Sequence, residues 1–122
     1  MDIRYVAGYI VENKEGSYNM EQKNEVLLEV HGLKKYFPIK NSSLYNKHGS
    51  VKAVDGVDMY IRRGETLSLV GESGCGKSTL SRLILRLIEP QEGQIFYNGI
   101  DILSLNKLQM RNMRKDMQLI FQ

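Results

Sequence analysis

Nine consecutive residues could carry chemistry: Gly71-Glu72-Ser73-Gly74-Cys75-Gly76-Lys77-Ser78-Thr79. They fit the pattern G-x-x-x-x-G-K-[ST] without a mismatch. Closely spaced glycines let a backbone curl until successive N–H groups face one point, a concave donor set for an anion. A helix beginning near Lys77 would aim its free N–H groups and the positive end of its dipole at that point. Lys77 adds a mobile positive charge. The chemistry that needs all of this is polyphosphate binding, which makes a nucleoside triphosphate the expected ligand.

Each residue of the run then has an expected place. Gly71, Gly74 and Gly76 shape the loop. Lys77 serves the β- and γ-phosphates, the Ser78 hydroxyl is the expected protein ligand of Mg2+, and Thr79 adds a bond to the α-phosphate. Glu72, Ser73 and Cys75 fill variable positions and contribute backbone. An acidic Glu72 near phosphates is unfavourable, so its side chain is expected to point outward. The plain alternative is an ordinary glycine-rich turn, and the flanking elements argue against it.

Those elements are a β-rich run before the loop, Thr66-Leu67-Ser68-Leu69-Val70, and an amphipathic helix after it. Leu80, Leu83, Ile84, Leu87 and Ile88 recur at helical spacing, with Arg82 and Arg86 on the wet face and Pro90 ending the helix near Ile88. Gly93 is expected to open a turn, Gln94–Tyr97 to form a short strand, and Asn98-Gly99 to close a hairpin. Ser104 is the expected N-cap of a helix to about Lys115. The apolar run Met117–Phe121 reads as a strand covered on both faces.

Upstream, Val26–Val30 reads as a strand broken by His31-Gly32, with Leu33–Phe37 as another, limited by Pro38. Residues 41–50 read as a polar loop. Val51–Ile61 alternates apolar with polar, one face in and one out, and Arg63-Gly64 turns the chain toward the strand before the loop. Residues 1–25 are polar in their second half and read as a loosely ordered extension, with Met1 or Met20 as the start.

The chain of 122 residues has room for about one domain. Its formal charge of +3 and pI near 9.0 are too weakly basic to imply nucleic acid. Arg111, Arg114 and Lys115 read as a solvated helix end. Cys75 is the one cysteine, which excludes an internal disulfide and suits a reducing cytoplasm. It has no base beside it in sequence, which disfavours a catalytic thiol. His31 and His48 lack partners at metal-ligand spacing. No stretch approaches the ~18 apolar residues that span a bilayer, and the N-terminus has no apolar signal core, so membrane association is expected through a partner.

Gln122 follows the Met117–Phe121 run directly. If that strand is parallel to Thr66–Val70, Gln122 reaches the same sheet edge as Ser78, where its amide oxygen could approach Mg2+ or an attacking water. From position alone, a polar residue that merely ends a strand is the favoured reading.

Three runs, Val51–Val57, Gly64–Leu80 and Met117–Gln122, resemble the ATP-binding subunits of ABC transporters. Lys34-Lys35-Tyr36-Phe37-Pro38-Ile39-Lys40 and the Glu-Ser-Gly-Cys loop resemble the oligopeptide and dipeptide importer branch. The likeness covers about Val26 to Gln122. It implies an α/β fold, a P-loop NTPase of the ABC ATPase type with an antiparallel β-subdomain at about 26–65. The phosphate loop and the start of the core then lie at 66–122, incomplete at the C-terminus.

The resemblance implies ATP and Mg2+ as ligands. Phe37 matches the aromatic that stacks on adenine, with Tyr36 the fallback, and Gln122 matches the glutamine that touches Mg2+ and signals to the membrane subunits. Partners would be permease subunits and a second ATP-binding subunit, with the protein peripheral on the cytoplasmic face of the membrane. The family's signature motif, catalytic glutamate and switch histidine have no counterpart in these residues. The expectation is therefore the amino-terminal part of a peptide-import ATPase, with negligible turnover by this chain alone. Two other readings remain: a nucleotide-binding remnant that does not catalyse, and another phosphate-loop enzyme such as a small-molecule kinase.

Overall fold

The computed structural model describes residues 4–8, 25–39 and 49–120. The alternation in Val51–Ile61 becomes a strand, Ser50–Arg62 (β3), with Val54 and Val57 buried and Asp55 and Asp58 exposed. It pairs antiparallel with Val26–Pro38 (β2), from Val26 opposite Arg62 to Pro38 opposite Ser50. The break expected at His31-Gly32 is instead an irregularity inside one strand. The register shifts between Val30 and Leu33, and the Gly32 N–H donates to Asp58 Oδ1 at 2.8 Å. The extra residue resets the strand's parity, so Leu28, Val30 and Leu33 are all buried.

Two more strands complete this sheet, in the order β3-β2-β5-β6. They are Glu92–Tyr97 (β5) and Ile100–Asp101 (β6), paired antiparallel. Asn98 and Gly99 join them with φ of 53° and 74°, the turn their sequence predicts. Gly93 lies within β5 rather than opening a turn. A Cβ there would stand 2.6 Å from Leu33 Cα, so only glycine lets the two backbones approach. The strand before the phosphate loop, Thr66–Val70 (β4), forms a separate pair with Arg4–Gly8 (β1), antiparallel. Those five residues of the expected loose extension are therefore a strand; residues 1–3 and 9–24 lie outside the described residues.

One hydrophobic cluster unites Leu28, Val30, Leu33, Val54, Val57 and Ile95 of the four-stranded sheet with Leu80 and Leu83, and with Ile102 and Met110. Leu80 and Leu83 belong to the helix that leaves the loop, Lys77–Ile84 (α1), and both are fully buried. Burial of each contributes about 1.5–3 kcal/mol. Their packing fixes the helix, and with it the loop at its start.

Helix α1 ends four residues before the expected Ile88. Leu85 is its C-cap, and Arg86 turns left-handed at φ 49°. Pro90 is therefore not the terminator. The second helix, Lys107–Met113 (α2), starts later than expected because Asn106, not Ser104, caps it. Asn106 Oδ1 accepts from Gln109 N while Gln109 Oε1 accepts from Asn106 N, both at 2.9 Å, a reciprocal capping box. The Ser104 hydroxyl donates to the Asp101 carbonyl instead.

The strand expected at Met117–Phe121 is not formed over Met117–Ile120. A strand needs a neighbour, and among the described residues none pairs with this run; β4 has β1 as its partner. Met117 and Leu119 are half-buried and Ile120 is 90% exposed. Phe121 and Gln122 lie outside the described residues, and so does the site role expected of Gln122.

Candidate phosphate-binding site

The loop from Gly71 to Gly76 is short because its bonds are local. Cys75 N donates to the Glu72 carbonyl at 3.3 Å, and Leu80 N donates to the Gly76 carbonyl at 2.8 Å, opening α1. Gly76 is the N-cap at φ 96°, a left-handed conformation that a side chain would strain. No side chain caps the helix, and its first turn carries no acidic residue. The orphan N–H groups at this end are thus left to an external acceptor, and the dipole favours a negative one.

Lys77 stands at the focus. Its Nζ donates to the Gly71 carbonyl at 2.6 Å and the Glu72 carbonyl at 2.7 Å, and lies 3.2 Å from Cys75 Sγ. The ammonium thereby brings the two ends of the loop together. An ammonium has three donors and all are directed at the loop, so an arriving phosphate would trade against these carbonyls.

Gly71, Glu72, Ser73, Gly74 and Ser78 are exposed, while Cys75, Gly76, Lys77 and Thr79 are half-buried. Glu72 fits the outward position expected of it, with only its carbonyl turned to Lys77. Ser78, the residue expected to meet Mg2+, is exposed. Among the described residues no three His, Cys, Asp or Glu side chains converge as a metal site. That donor set suits an ion carried mainly by phosphate oxygens, with one protein hydroxyl added.

Phe37 stands on another element, near the end of β2, and is 41% exposed. Lys35 Nζ lies 5.6 Å from the centre of its ring. Its neighbour Tyr36 is already engaged. The Tyr36 hydroxyl donates to Asp55, whose other carboxylate oxygen accepts from Lys52 at 3.2 Å, and Lys52 sits over the Tyr36 ring. The hydrogen bond from Tyr36, and then that from Lys52, hold the Asp55 carboxyl below its usual range. The same bond to Asp55, aided by desolvation, pushes the Tyr36 phenol up. Each ring thus has a lysine over it, and Phe37 is the more exposed of the two.

The structure also has a cleft of about 560 Å³ beside β2, β3 and β4, walled by Val26, Val30, Met59, Tyr60 and Leu67 among others. No residue of the phosphate loop lines it. The loop is largely exposed, and its bonding geometry makes it the candidate site.

Sequence reasoning missed two arginines behind the loop. Arg86 Nη1 donates to the carbonyls of Ile102 and Leu105, at 2.9 and 2.7 Å. Arg114 donates to the carbonyls of Leu85 and Arg86, at 3.4 and 2.7 Å. Arg111, Arg114 and Lys115 are all exposed, as a solvated helix end would be, and Arg114 in addition donates to two backbone carbonyls. Nothing in the sequence marked these contacts, and Arg86, expected on the wet face of the helix, has a side chain only 19% exposed.

The sequence profile of the ABC transporter family matches residues 54–122, more than half of the chain and all of the loop. The chain belongs to the ABC transporter family. Curated ABC relatives are similar over most of its length. "Oligopeptide transport ATP-binding protein AppF" of Bacillus subtilis (strain 168) is 50% identical over 80% of this chain and 30% of that protein. "Dipeptide transport ATP-binding protein DppF" of Haemophilus influenzae is 45% identical over 85% of this chain and 32% of that protein. "Oligopeptide transport ATP-binding protein OppF" of Salmonella typhimurium is 42% identical over 83% of this chain and 31% of that protein. The chain thus spans about a third of the length of the ABC relatives it matches.

The four-stranded sheet is antiparallel, and it draws on residues 92–101 as well as on the span of about 26–65 expected of the β-subdomain. Strands β5 and β6, from the later part of the chain, complete it. Phe37 lies outside the residues matched by the family profile. Among the described residues no helix is long and apolar enough to cross a membrane.

Proposed function

We propose that this chain forms the phosphate-loop part of the ATP-binding subunit of a peptide ABC transporter, and that its loop binds Mg2+ and ATP. The observation that carries the reading is the uncapped, acid-free start of α1 with the Lys77 ammonium at its focus. A tetra-anionic triphosphate matches that arrangement in charge and in donor count. The peptide class rests on the printed names of relatives 42–50% identical to this chain.

In this reading the loop N–H groups surround the β-phosphate, and Lys77 leaves the Gly71 and Glu72 carbonyls for the β- and γ-oxygens. Ser78 places its hydroxyl on Mg2+, and Thr79 bonds the α-phosphate. Phe37 supplies an exposed face for the adenine. Gln122 serves Mg2+ and relays its state onward. The whole subunit works with a second ATP-binding subunit on the cytoplasmic face of permease subunits, where ATP binding and hydrolysis drive import.

The test is titration of ATP with and without Mg2+ on the wild type and on Ser78→Ala. The reading expects the substitution to remove the Mg2+-dependent gain in affinity, about ten-fold or more, and to leave binding in EDTA unchanged. Equal Mg2+ dependence in both proteins would remove Ser78 from the metal site. Phosphate transfer from ATP to a small-molecule acceptor would instead identify a kinase.

A further inference from the structure

The contacts of Arg86 and Arg114 lie at the opposite end of α1 from the phosphate loop. Helix α1 has eight residues and is about 12 Å long. Just past its last residue, the carbonyls of the C-cap Leu85 and of Arg86 accept from the guanidinium of Arg114, the C-cap residue of α2. In return Arg86, at the end of α1, holds the carbonyls of Ile102 and Leu105, which lead into α2. Its Nε also pairs with Glu89 at 2.9 Å.

Arg86 adopts φ 49° to do this, a conformation that costs a residue with a Cβ. A glycine would end the helix there without strain. Such outliers persist where surrounding contacts over-determine them, and they point from strain to purpose. The Arg86 side chain is 19% exposed, so its contacts are shielded from competing water. Arg114 thus fastens the backbone of Leu85 and Arg86, Arg86 fastens Ile102 and Leu105 ahead of α2, and the two together join the far end of α1 to residues on both sides of α2.

The geometry points to Arg86 and Arg114 as a clasp that transmits phosphate-loop occupancy along α1 to residues 100–116. This inference rests on the nucleotide reading above. An anion at the start of α1 tightens the helix through its N–H groups and dipole. The clasp makes the α2 segment share that change, because the carbonyls ending α1 and those preceding α2 are bonded to one pair of side chains. Arg86 and Arg114 are positioning residues and touch no ligand.

Hydrogen–deuterium exchange on the full chain, with and without Mg2+ and ATP, tests it. In the wild type, ATP should slow exchange in residues 71–83 and also, about three-fold or more, in residues 100–116. Arg86→Gly keeps the left-handed turn and removes the side chain, so the fold stays. It should retain protection at 71–83 and lose the nucleotide-dependent protection at 100–116. Arg114→Ala should do the same, and the double variant should be no worse than either single, since the two act as one unit. Wild-type protection that never reaches 100–116 overturns the clasp. So does protection there that survives both substitutions, or loop protection that disappears along with it. No protection at 71–83 in the wild type defeats the nucleotide reading itself, and the clasp with it.

Discussion

The Nζ of Lys77 lies 2.6 Å from the carbonyl oxygen of Gly71, so the residue that would serve the phosphates also closes the loop around them. The same ammonium bonds the Glu72 carbonyl and stands beside Cys75 Sγ. On the proposed reading, one side chain would couple loop shape to ligand charge.

The position of Cys75 makes the loop sensitive to thiol chemistry. It is the one cysteine, half-buried, with its sulfur 3.2 Å from Lys77 Nζ. A maleimide on that sulfur would fill the space the ammonium and phosphates share. Alkylation is expected to abolish ATP binding, and bound MgATP to slow labelling, both read by mass spectrometry and titration. Cys75→Ser should bind ATP like the wild type. Equal labelling rates with and without nucleotide would contradict this placement.

Leu83 ties the loop helix to the sheet. It is fully buried in the cluster that includes Leu33, Val54 and Ile95. Leu83→Ala is expected to cost about 2–5 kcal/mol, seen as a lower midpoint in chemical denaturation. A change below about 0.5 kcal/mol would mean that α1 does not pack as described.

The Tyr36–Asp55 contact sets a pH dependence of known sign. A lowered carboxyl contributes stability above its unfolded pKa, near 3.8, and loses it as pH falls through the folded value. A raised phenol contributes below its unfolded pKa, near 10.0, and loses it as pH rises through the folded value. The contact is thus complete across the neutral range and weakens at both ends. The pair is open to solvent, so the effect is small. Asp55→Asn should flatten the acid limb of Tm against pH, and superimposable acid limbs would show that the contact contributes nothing.

Phe37 is more exposed than its neighbour Tyr36. Phe37→Ala is expected to weaken ATP binding about five-fold, at the low end of base stacking. Tyr36→Phe should leave it unchanged, because the Tyr36 hydroxyl is spent on Asp55. The reverse order of effects in a titration would assign the adenine to Tyr36.

How much of this was legible in the sequence depended on how local its causes are. The loop from Gly71 to Thr79, the Asn98-Gly99 turn and the alternation in β3 are decided by neighbouring residues, and the structure carries all three. The end of α1 was not legible, because it depends on Arg86 reaching carbonyls at Ile102 and Leu105, sixteen and nineteen residues away. The start of α2 turned on a choice between two good capping residues, and Gln109 decided for Asn106. Met117–Ile120 has the composition of a buried strand, but pairing is a property of two segments and is invisible in one. The proximity of Tyr36 to Asp55 likewise follows from sheet register, which composition does not encode.

The central claim is that the loop closed by Lys77 binds a nucleoside triphosphate. Isothermal titration of ATP and Mg2+ into the wild type and Lys77→Ala tests it most directly. Saturable binding at one site, weakened about ten- to hundred-fold by the substitution, is the predicted result, the worth of a charge-assisted contact. Equal affinity in the two proteins, or no binding by the wild type, would contradict it.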